Sequence, residues 1–374
     1  MGLLFIFVVK KLNMKNIYFL SLLSFFFFYS CKDDESAISG PTVNFDINAV
    51  PYSKLSTYSF FSGDLKNLTP ISKVIPYEPA SSLFTDYAQK KRFIWMPEGT
   101  KATYQEDGKI LNFPIGTILI KNFYYTTLQP NNTAKIIETR LMIRKSTGWI
   151  FAEYIWNDAQ TEASLVTGED FTSGSSQTIT FKKPNDEVIT TDYRIPSENE
   201  CFACHRVDGK PVPIGTKPQN LNTVYNYSTN NIKNQLQKLV DEGYLASYPA
   251  SIASTVDYHD TTKPVDIRLR SYLDANCSHC HQQNARCDYR ALRLNFNQTS
   301  NLTNLGVCLT AAEPVNSTIS KIVAPGNYNK SVMHYRLQSV DESNRMPLLG
   351  RTVVHDEGLL LVQQWISSLN QTCN

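Results

Sequence analysis

The stretch Cys277-Ser278-His279-Cys280-His281 decides how the second half of this chain is expected to fold. Its C-x-x-C-H spacing is that of covalent haem attachment, in which two thiols bond one edge of the porphyrin and the adjacent imidazole reaches the iron. An earlier copy is Cys201-Phe202-Ala203-Cys204-His205. The two copies predict two covalently bound haem c groups. The expected attachment residues are Cys201, Cys204, Cys277 and Cys280, and the expected proximal iron ligands are His205 and His281.

A zinc site built from the same four cysteines is the alternative interpretation. It leaves the histidine after each cysteine pair without a role. The two pairs are also separated by 72 residues, whereas the common four-cysteine zinc motif has a spacer of about 15–20. The haem interpretation explains more of the residues.

The second haem has a candidate distal ligand in Met346, which lies in the Pro-flanked stretch Arg345-Met346-Pro347 downstream of His281. Met/His ligation raises the reduction potential and suits electron transfer. For the first haem the candidates are His259, His334 and His355, and a vacant position stays open. A vacant position would favour a peroxidase or oxidase. His279, inside the second motif, is expected to be exposed.

The first thirty residues indicate export. Met14-Lys15 precedes an apolar run over residues 17–29, which is typical of a signal peptide and shorter than the roughly 20 residues of a membrane span. Ser30-Cys31 resembles a bacterial lipoprotein cleavage site, and Lys32-Asp33-Asp34 resembles a surface-export tag of Bacteroidota-type lipoproteins. This resemblance implies a lipid on Cys31 and an outer-membrane lipoprotein on the periplasmic or cell-surface side. The alternative is a plain cleaved signal with Cys31 incidental.

Charge and cysteine content add two further expectations. The formal charge of +2 falls to −1 when the three lysines of residues 1–30 are removed, so nucleic acid is not an expected partner. Of the eight cysteines, one is assigned to lipid and four to haem. Cys287 and Cys308 lie 21 residues apart in a loop-rich segment and are expected to form a disulfide in an oxidising compartment. Cys373 has no assigned role.

The residue pattern divides the chain into a signal peptide (1–30), a tether (31–50), a β-rich domain (51–195) and a dihaem region (196–374). The first haem is assigned to 196–262 and the second to 263–374. The predicted fold is therefore a multidomain α+β chain, with an N-terminal antiparallel β-sandwich-like domain followed by a mainly α, cytochrome c-type haem region.

Strands are predicted from β-branched and aromatic runs separated by turn clusters, at Gly116–Tyr125, Ala134–Arg144, Trp149–Trp156 and Gln177–Phe181. Glu138, Arg140 and Arg144 alternate with apolar residues, so one sheet face is expected to meet water. Apolar periodicity predicts helices at Asn230–Gly243, Ile267–Asn276 and Asp356–Leu369.

No cysteine or histidine occurs in the β-rich region, and nothing in it suggests catalysis. Its most mixed segment is Tyr77–Gly99, where aromatic side chains alternate with charged ones. Asp86, Lys90, Lys91 and Arg92 in this segment are interpreted as a solvated edge in preference to a binding patch.

An ordered set of short motifs resembles a family of bacterial dihaem c-type cytochromes with an N-terminal β region and two C-terminal haem motifs. The resemblance covers about residues 75–370 and rests on Tyr77–Gly99, Pro196–His205, Tyr272–His281, Pro325-Gly326, Ser331, Arg336, Arg345-Met346-Pro347 and Trp365-Ile366. It implies covalent haem c at both sites and redox work outside the cytoplasm. The segment between Cys287 and Cys308 also looks like that of relatives with the same cysteine pair.

The function expected from these observations is single-electron transfer by an exported dihaem c-type cytochrome, with an unknown redox protein or acceptor as partner and the membrane bound through Cys31. An electron-transfer protein is favoured over a substrate-converting enzyme. The alternatives are a dihaem peroxidase or oxidase with an open first haem, and a receptor in which the haems are structural.

Overall fold

The largest element of the structure is an antiparallel sheet of eight strands. The computed structural model describes residues 40–373, so the predicted signal peptide and Cys31 lie outside the described residues. The strands of this sheet are β3 (Ile75–Tyr77), β4 (Gln89–Trp95), β5 (Ile118–Leu128), β6 (Thr133–Lys145), β7 (Gly148–Trp156), β8 (Ala163–Leu165), β9 (Ser175–Lys182) and β10 (Val188–Ile195). Their spatial order is β10-β9-β5-β6-β7-β8, with β4 also paired to β5 and β3 paired to β4.

The remaining strands are short pairs outside this sheet. They are β1 (Phe61–Ser62) with β2 (Thr69–Pro70), β11 (Arg206–Val207) with β12 (Lys210–Pro211), and β13 (Val224–Asn226) with β14 (Ile232–Asn234). All four predicted strands are present, as β5, β6, β7 and β9, and each projects successive side chains to opposite faces of the sheet.

The large sheet has an apolar face and a mixed face. On the apolar face, Phe93, Ile120 and Leu141 pack against an N-terminal segment that includes Tyr58 and Phe60. The opposite face has apolar clusters around Ile94 and Leu119 and around Phe123, Tyr125 and Phe181. Between these two clusters lie charged side chains that the C-terminal half of the chain covers.

The described residues contain seven short helices. They are α1 (Gly168–Ser173), α2 (Glu198–Cys204), α3 (Pro218–Leu221), α4 (Gln235–Asp241), α5 (Val265–Asn276), α6 (Val332–Gln338) and α7 (Asp356–Ser368). Three-residue and four-residue 3₁₀ turns occur at Leu55–Tyr58, Leu65–Asn67 and Tyr328–Lys330.

The predicted fold class is wrong, because the region after residue 196 is not a mainly α haem domain. Its two longest helices, α5 and α7, have 12 and 13 residues, and turns and loops make up most of the rest. The helix predicted at Asn230–Gly243 begins only at Gln235, since residues 232–234 pair with 224–226 as strands. The β part is one large sheet backed by the C-terminal half, so it is not a sandwich of two sheets. The subdivision at residues 195 and 262 stays a prediction.

Helices α5 and α7 pack against each other, as expected for the helix entering the second motif and the C-terminal helix. Leu269 and Leu273 of α5 share a buried cluster with Val362 and Trp365 of α7. The close approach requires glycine at position 358, because a Cβ atom there would lie 2.4 Å from the Tyr272 hydroxyl.

The predicted disulfide between Cys287 and Cys308 is also wrong. Cys308 is bonded to Cys373, 65 residues away, and Cys287 is a free, buried thiol. The C-terminal segment after α7 returns to the loop that holds Cys308, a proximity that sequence spacing does not encode. Cys373 thereby has a structural role, which is to tie down the C-terminus.

The carboxylate of Asp274 joins three segments of the C-terminal half. It accepts hydrogen bonds from Lys217 Nζ at 2.8 Å, Gln219 Nε2 at 3.1 Å, Asn220 Nδ2 at 3.2 Å and the Phe296 amide at 3.0 Å. Asp274 and Lys217 are 3% and 9% exposed. Because Asp274 lies one turn before Cys277, this network fixes the position of the second cysteine motif relative to the chain that follows the first.

Replacing Asp274 by alanine is expected to lower the free energy of unfolding by about 3–5 kcal/mol, because Lys217 would be left charged and unpaired in the interior. Urea denaturation of the variant and the parent measures this difference. Asp266→Asn on the same helix is the control, since that carboxylate is half-exposed and its 3.5 Å pair with Arg270 contributes little. Equal stability of Asp274→Ala and the parent would contradict the role given to this carboxylate.

Candidate cofactor site

The first C-x-x-C-H motif is carried by α2, which has a strong N-terminal cap. Ser197 Oγ accepts a hydrogen bond from the Glu200 amide, and the Glu200 carboxylate accepts one from the Ser197 amide at 2.8 Å. This capping box starts the helix at Glu198, and Arg194 pairs with Glu200 at 2.8 Å. Cys201 and Cys204, three residues apart, therefore lie on one side of the helix.

His205 ends α2 with its imidazole already oriented. Its Nδ1 is 2.9 Å from the Val212 carbonyl oxygen, so Nδ1 carries the proton and Nε2 has a free lone pair. Burial lowers the pKa of His205 to about 4, which keeps the ring neutral near pH 7. A neutral imidazole whose other nitrogen donates to a backbone carbonyl is the usual arrangement of a metal-ligating histidine.

The second motif forms a single turn at the end of α5. The amides of Cys280 and His281 both donate to the Cys277 carbonyl, at 3.1 and 3.0 Å. Burial lowers the pKa of His281 to about 4. Within the described residues its Nδ1 atom is buried without a hydrogen-bond partner.

The fold brings the two motifs into contact with each other. The sulfur atoms of Cys204 and Cys280 and one ring nitrogen of His279 lie within 4.8 Å of one another. Cys287 is adjacent, since its amide donates to the Cys280 carbonyl at 3.0 Å, and the Cys280 thiol lowers the pKa of Cys287 to about 7. The prediction that His279 is exposed is wrong, because the ring is half-buried and its Nδ1 has no partner in the described part of the chain.

Three cavities adjoin these motifs: one is lined by Cys204, Ser278 and His279, and the other two differ in size. The larger one encloses about 1560 Å³ counted to its open mouth, and Cys201, Cys204 and His205 lie on its wall. The smaller one, of about 490 Å³ counted in the same way, is lined by Cys277, Cys280 and His281. Met346 lies on the walls of both the larger and the smaller cavity.

Arg351 holds the loop that carries Met346. Its buried guanidinium donates to the Met346 carbonyl from both Nε and Nη2, at 3.0 and 2.8 Å, and to the carbonyls of Val353, Arg336, Leu337 and Ser339. Asp86 ties the same loop to the sheet by accepting hydrogen bonds from the Thr352 and Val353 amides. Sequence reasoning gave neither residue this role.

The three histidines proposed for the first haem lie in different places. His355 lies on the wall of the larger cavity, stacked on Phe84 at 4.0 Å, with Nδ1 3.2 Å from the Tyr272 hydroxyl. His334 is buried beside Gln363, with 2.9 Å between their Nε2 atoms. His259 is exposed on a separate groove.

The mixed face of the sheet forms the wall opposite the first motif, through Lys121, Phe123, Arg140 and Glu153. The prediction that this face meets water is wrong, since Glu138 is 0% and Glu153 2% exposed. The solvated-edge interpretation is wrong for the buried residues Asp86 and Arg92, although Lys91 is exposed. The alternation of polar and apolar residues in β5–β7 was the sequence signal for this face. It does not distinguish a face that meets water from one that lines a covered cavity, because both accommodate polar side chains.

Glu138 and Glu153 share this wall as a carboxyl pair of unequal acidity. Burial, followed by the interaction with Glu138, raises the pKa of Glu153 to about 10, so it is protonated near pH 7. Burial also opposes ionisation of Glu138, but Arg140, whose Nη2 is 2.5 Å from Glu138 Oε1, outweighs this and lowers its pKa.

Comparisons with protein-family models, curated proteins and solved structures find no match to this chain. Among residues 40–373, no helix has the length and apolar character needed to cross a membrane.

Glu153→Gln is expected to change how stability depends on pH. The folded-state pKa of Glu153 is raised, so its contribution is complete below the unfolded pKa of about 4.3 and declines as pH rises toward 10, by up to about 1.4 kcal/mol per pH unit. Glutamine loses no proton and removes this slope. Urea unfolding at about pH 5, 7 and 9 tests it. The exposed control Glu98→Gln keeps the parental slope, and an unchanged slope in Glu153→Gln would refute the assignment.

Proposed function

We propose that this chain is an exported dihaem c-type cytochrome that exchanges single electrons with a redox partner protein or other acceptor. The observation that carries the proposal is the convergence of both C-x-x-C-H motifs beside cavities, with His205 held in the tautomer that an iron ligand needs. Haem c, when bound, supplies a one-electron iron couple.

The residues of the first motif fit a covalently attached haem. Cys201 and Cys204 lie on one side of a capped helix and on the wall of the larger cavity. The free Nε2 of His205 and its carbonyl-bonded Nδ1 match the requirement for a proximal ligand. The chain's own contribution is to hold these three side chains in a fixed arrangement and to exclude water behind them.

The second motif and Met346 support the other half of the proposal. Cys277, Cys280 and His281 share the smaller cavity with Met346. The Arg351 guanidinium donates two hydrogen bonds to the Met346 carbonyl oxygen, which fixes the backbone of the residue that carries the thioether. Met346 is therefore proposed as the distal ligand that closes the second site and favours electron transfer over binding of small molecules.

For the first site, His355 is the best placed of the three histidine candidates. It lies on the same cavity wall as His205, whereas His259 lies on the separate groove and His334 lies beside Gln363. A ligand role requires one ring nitrogen of His355 to give up a tyrosine hydroxyl, either Tyr272 at 3.2 Å from Nδ1 or Tyr258 at 3.3 Å from Nε2. A peroxidase or oxidase activity would follow if His355 does not close the site.

We extend the proposal to a lipid on Cys31 and an outer-membrane location, on the sequence signals alone.

A second candidate function is a single soft-metal site, and one observation favours it. Cys204, His279 and Cys280 place two sulfurs and one nitrogen within 4.8 Å, and Cys287 is adjacent. Sulfur and imidazole donors suit zinc. This site and the dihaem site exclude each other, because thioether bonds would consume Cys204 and Cys280.

Mass analysis of the mature polypeptide, produced with haem-attachment machinery, decides between the two. We expect the added mass of two haem groups and a reduced haem c absorption spectrum with two haems per chain. Cys204→Ser and Cys280→Ser should each lose one haem, whereas Cys287→Ser should keep both. A colourless protein containing one zinc ion would reject the cytochrome proposal in favour of the metal site.

Met346→Ala is expected to lower the reduction potential of one haem and to let carbon monoxide bind its reduced iron, because a thioether ligand raises the potential and fills the sixth position. Spectroelectrochemical titration and carbon monoxide difference spectra measure the two effects. Met333→Ala is the matched control, since Met333 packs in the C-terminal apolar cluster. Parental behaviour of Met346→Ala in both measurements would remove Met346 from the ligand set.

A further inference from the structure

A row of charged residues crosses the mixed face of the sheet. Strand pairing places Arg92 beside Lys121, Lys121 beside Arg140, and Arg140 beside Glu153. In an antiparallel sheet, directly paired residues project from the same face, so the four side chains form one line across β4, β5, β6 and β7. The next row of that face places Lys90 beside Phe123 and Phe123 beside Glu138.

Three cations of these rows surround the ring of Phe123. The Arg140 guanidinium carbon is 4.4 Å from the ring centroid, Lys121 Nζ is 4.8 Å away and Lys90 Nζ is 6.0 Å away. Contact with a ring face attracts each cation by about 0.5–2 kcal/mol. This attraction is smaller than the free-energy cost of clustering several positive charges away from bulk water, which combines their mutual repulsion with the loss of hydration.

The carboxylates nearby do not balance these charges. Arg140 is paired with Glu138, and the carboxyl of Glu153 is protonated near pH 7. Arg92 is buried and, within the described part of the chain, its single ion pair, with the half-exposed Glu78, is 3.8 Å long. Neither Lys90 nor Lys121 has a hydrogen-bond acceptor or an ion pair among residues 40–373. Burial, together with the charge of Arg92, lowers the pKa of both lysines.

Open space adjoins these ammonium groups. Lys121 lies on the wall of the larger cavity, which also holds Cys201 and His205. Lys90 and Arg92 lie on the neighbouring groove, which opens to solvent and is lined by tyrosines, among them Tyr124 and Tyr225. Arg92 and Lys121 also lie together on the wall of a third cavity, which Cys204 and His279 line. An anion can reach the cations from either side.

We propose that Lys90, Arg92 and Lys121 form a binding site for a pair of carboxylates carried by one ligand. Two negative charges would compensate the two unpaired lysines, and the Arg92 guanidinium offers a fork suited to a carboxylate. The carboxylates come from one of two sources. One is the propionate pair of a haem attached at Cys201 and Cys204, which rests on the proposed function, and the other is a small free dicarboxylic acid that enters through the tyrosine-lined groove.

The test uses the purified mature chain and the variants Lys90→Gln and Lys121→Gln. Lys91→Gln is the matched control, since Lys91 is the exposed neighbour on the same strand, and Lys121→Arg keeps the charge. Two measurements are made on each protein. They are the reduction potential of each haem, by spectroelectrochemical titration, and the binding of succinate, by calorimetry.

If haem propionates occupy the site, Lys90→Gln and Lys121→Gln lower the potential of one haem, because removing a positive charge favours the oxidised iron. Lys91→Gln keeps the parental potential, Lys121→Arg shifts it less than Lys121→Gln because the charge is retained, and succinate does not bind. If a free dicarboxylic acid occupies the site, succinate binds the parent, and the two glutamine variants bind it about tenfold or more weakly.

Parental potentials in both glutamine variants together with no succinate binding would overturn the proposal. A chain that carries no haem would instead reject the proposed function. In that case the succinate titration alone decides the anion site, since binding that is lost in both glutamine variants supports it and absence of binding overturns it.

Discussion

The ion pair between Asp274 and Lys217 is the contact on which the arrangement of the C-terminal half depends. Few regular elements hold that half together, so buried polar contacts take the place of helix packing. One carboxylate engages the chain after the first motif through Lys217 and Asn220, and the loop after the second motif through the Phe296 amide. Because the carboxylate is buried, each of these partners is costly to leave unpaired, which fixes the loops to one arrangement.

The consequence of this arrangement is that two motifs far apart in sequence share one location. Cys204 and Cys280 come within 4.8 Å of each other. Under the proposed function, the two cofactors would therefore be attached at adjacent thiols, and an electron accepted at one site could pass to the other without leaving the chain. Under the single-metal alternative, the same adjacency supplies the donor set.

The sheet takes part in the site as its opposite wall. Its apolar face is an ordinary core, whereas its mixed face presents Lys121, Arg140 and Glu153 to a cavity. Such a wall sets the local charge around whatever the cavity binds. Asp86, in the segment that leads into β4, positions the Met346 loop by accepting hydrogen bonds from the Thr352 and Val353 amides. The β-rich part is therefore more than a spacer between the site and a partner.

The sequence alone identified the two C-x-x-C-H motifs, the strands β5, β6, β7 and β9, and the helices α5 and α7. These are local patterns, because motif spacing, two-residue alternation and helical periodicity can each be recognised within one short segment of the sequence.

Tertiary structure decided the features that depend on residues distant in sequence. It joined Cys308 to Cys373, placed the half-buried His279 beside Cys204 and Cys280, and turned the polar face of the sheet toward a cavity. Polar alternation in a strand is the same for a face that meets water and a face that lines a site. Only the position of the covering chain distinguishes the two, and that position is set by long-range contacts such as the bond between Lys217 and Asp274.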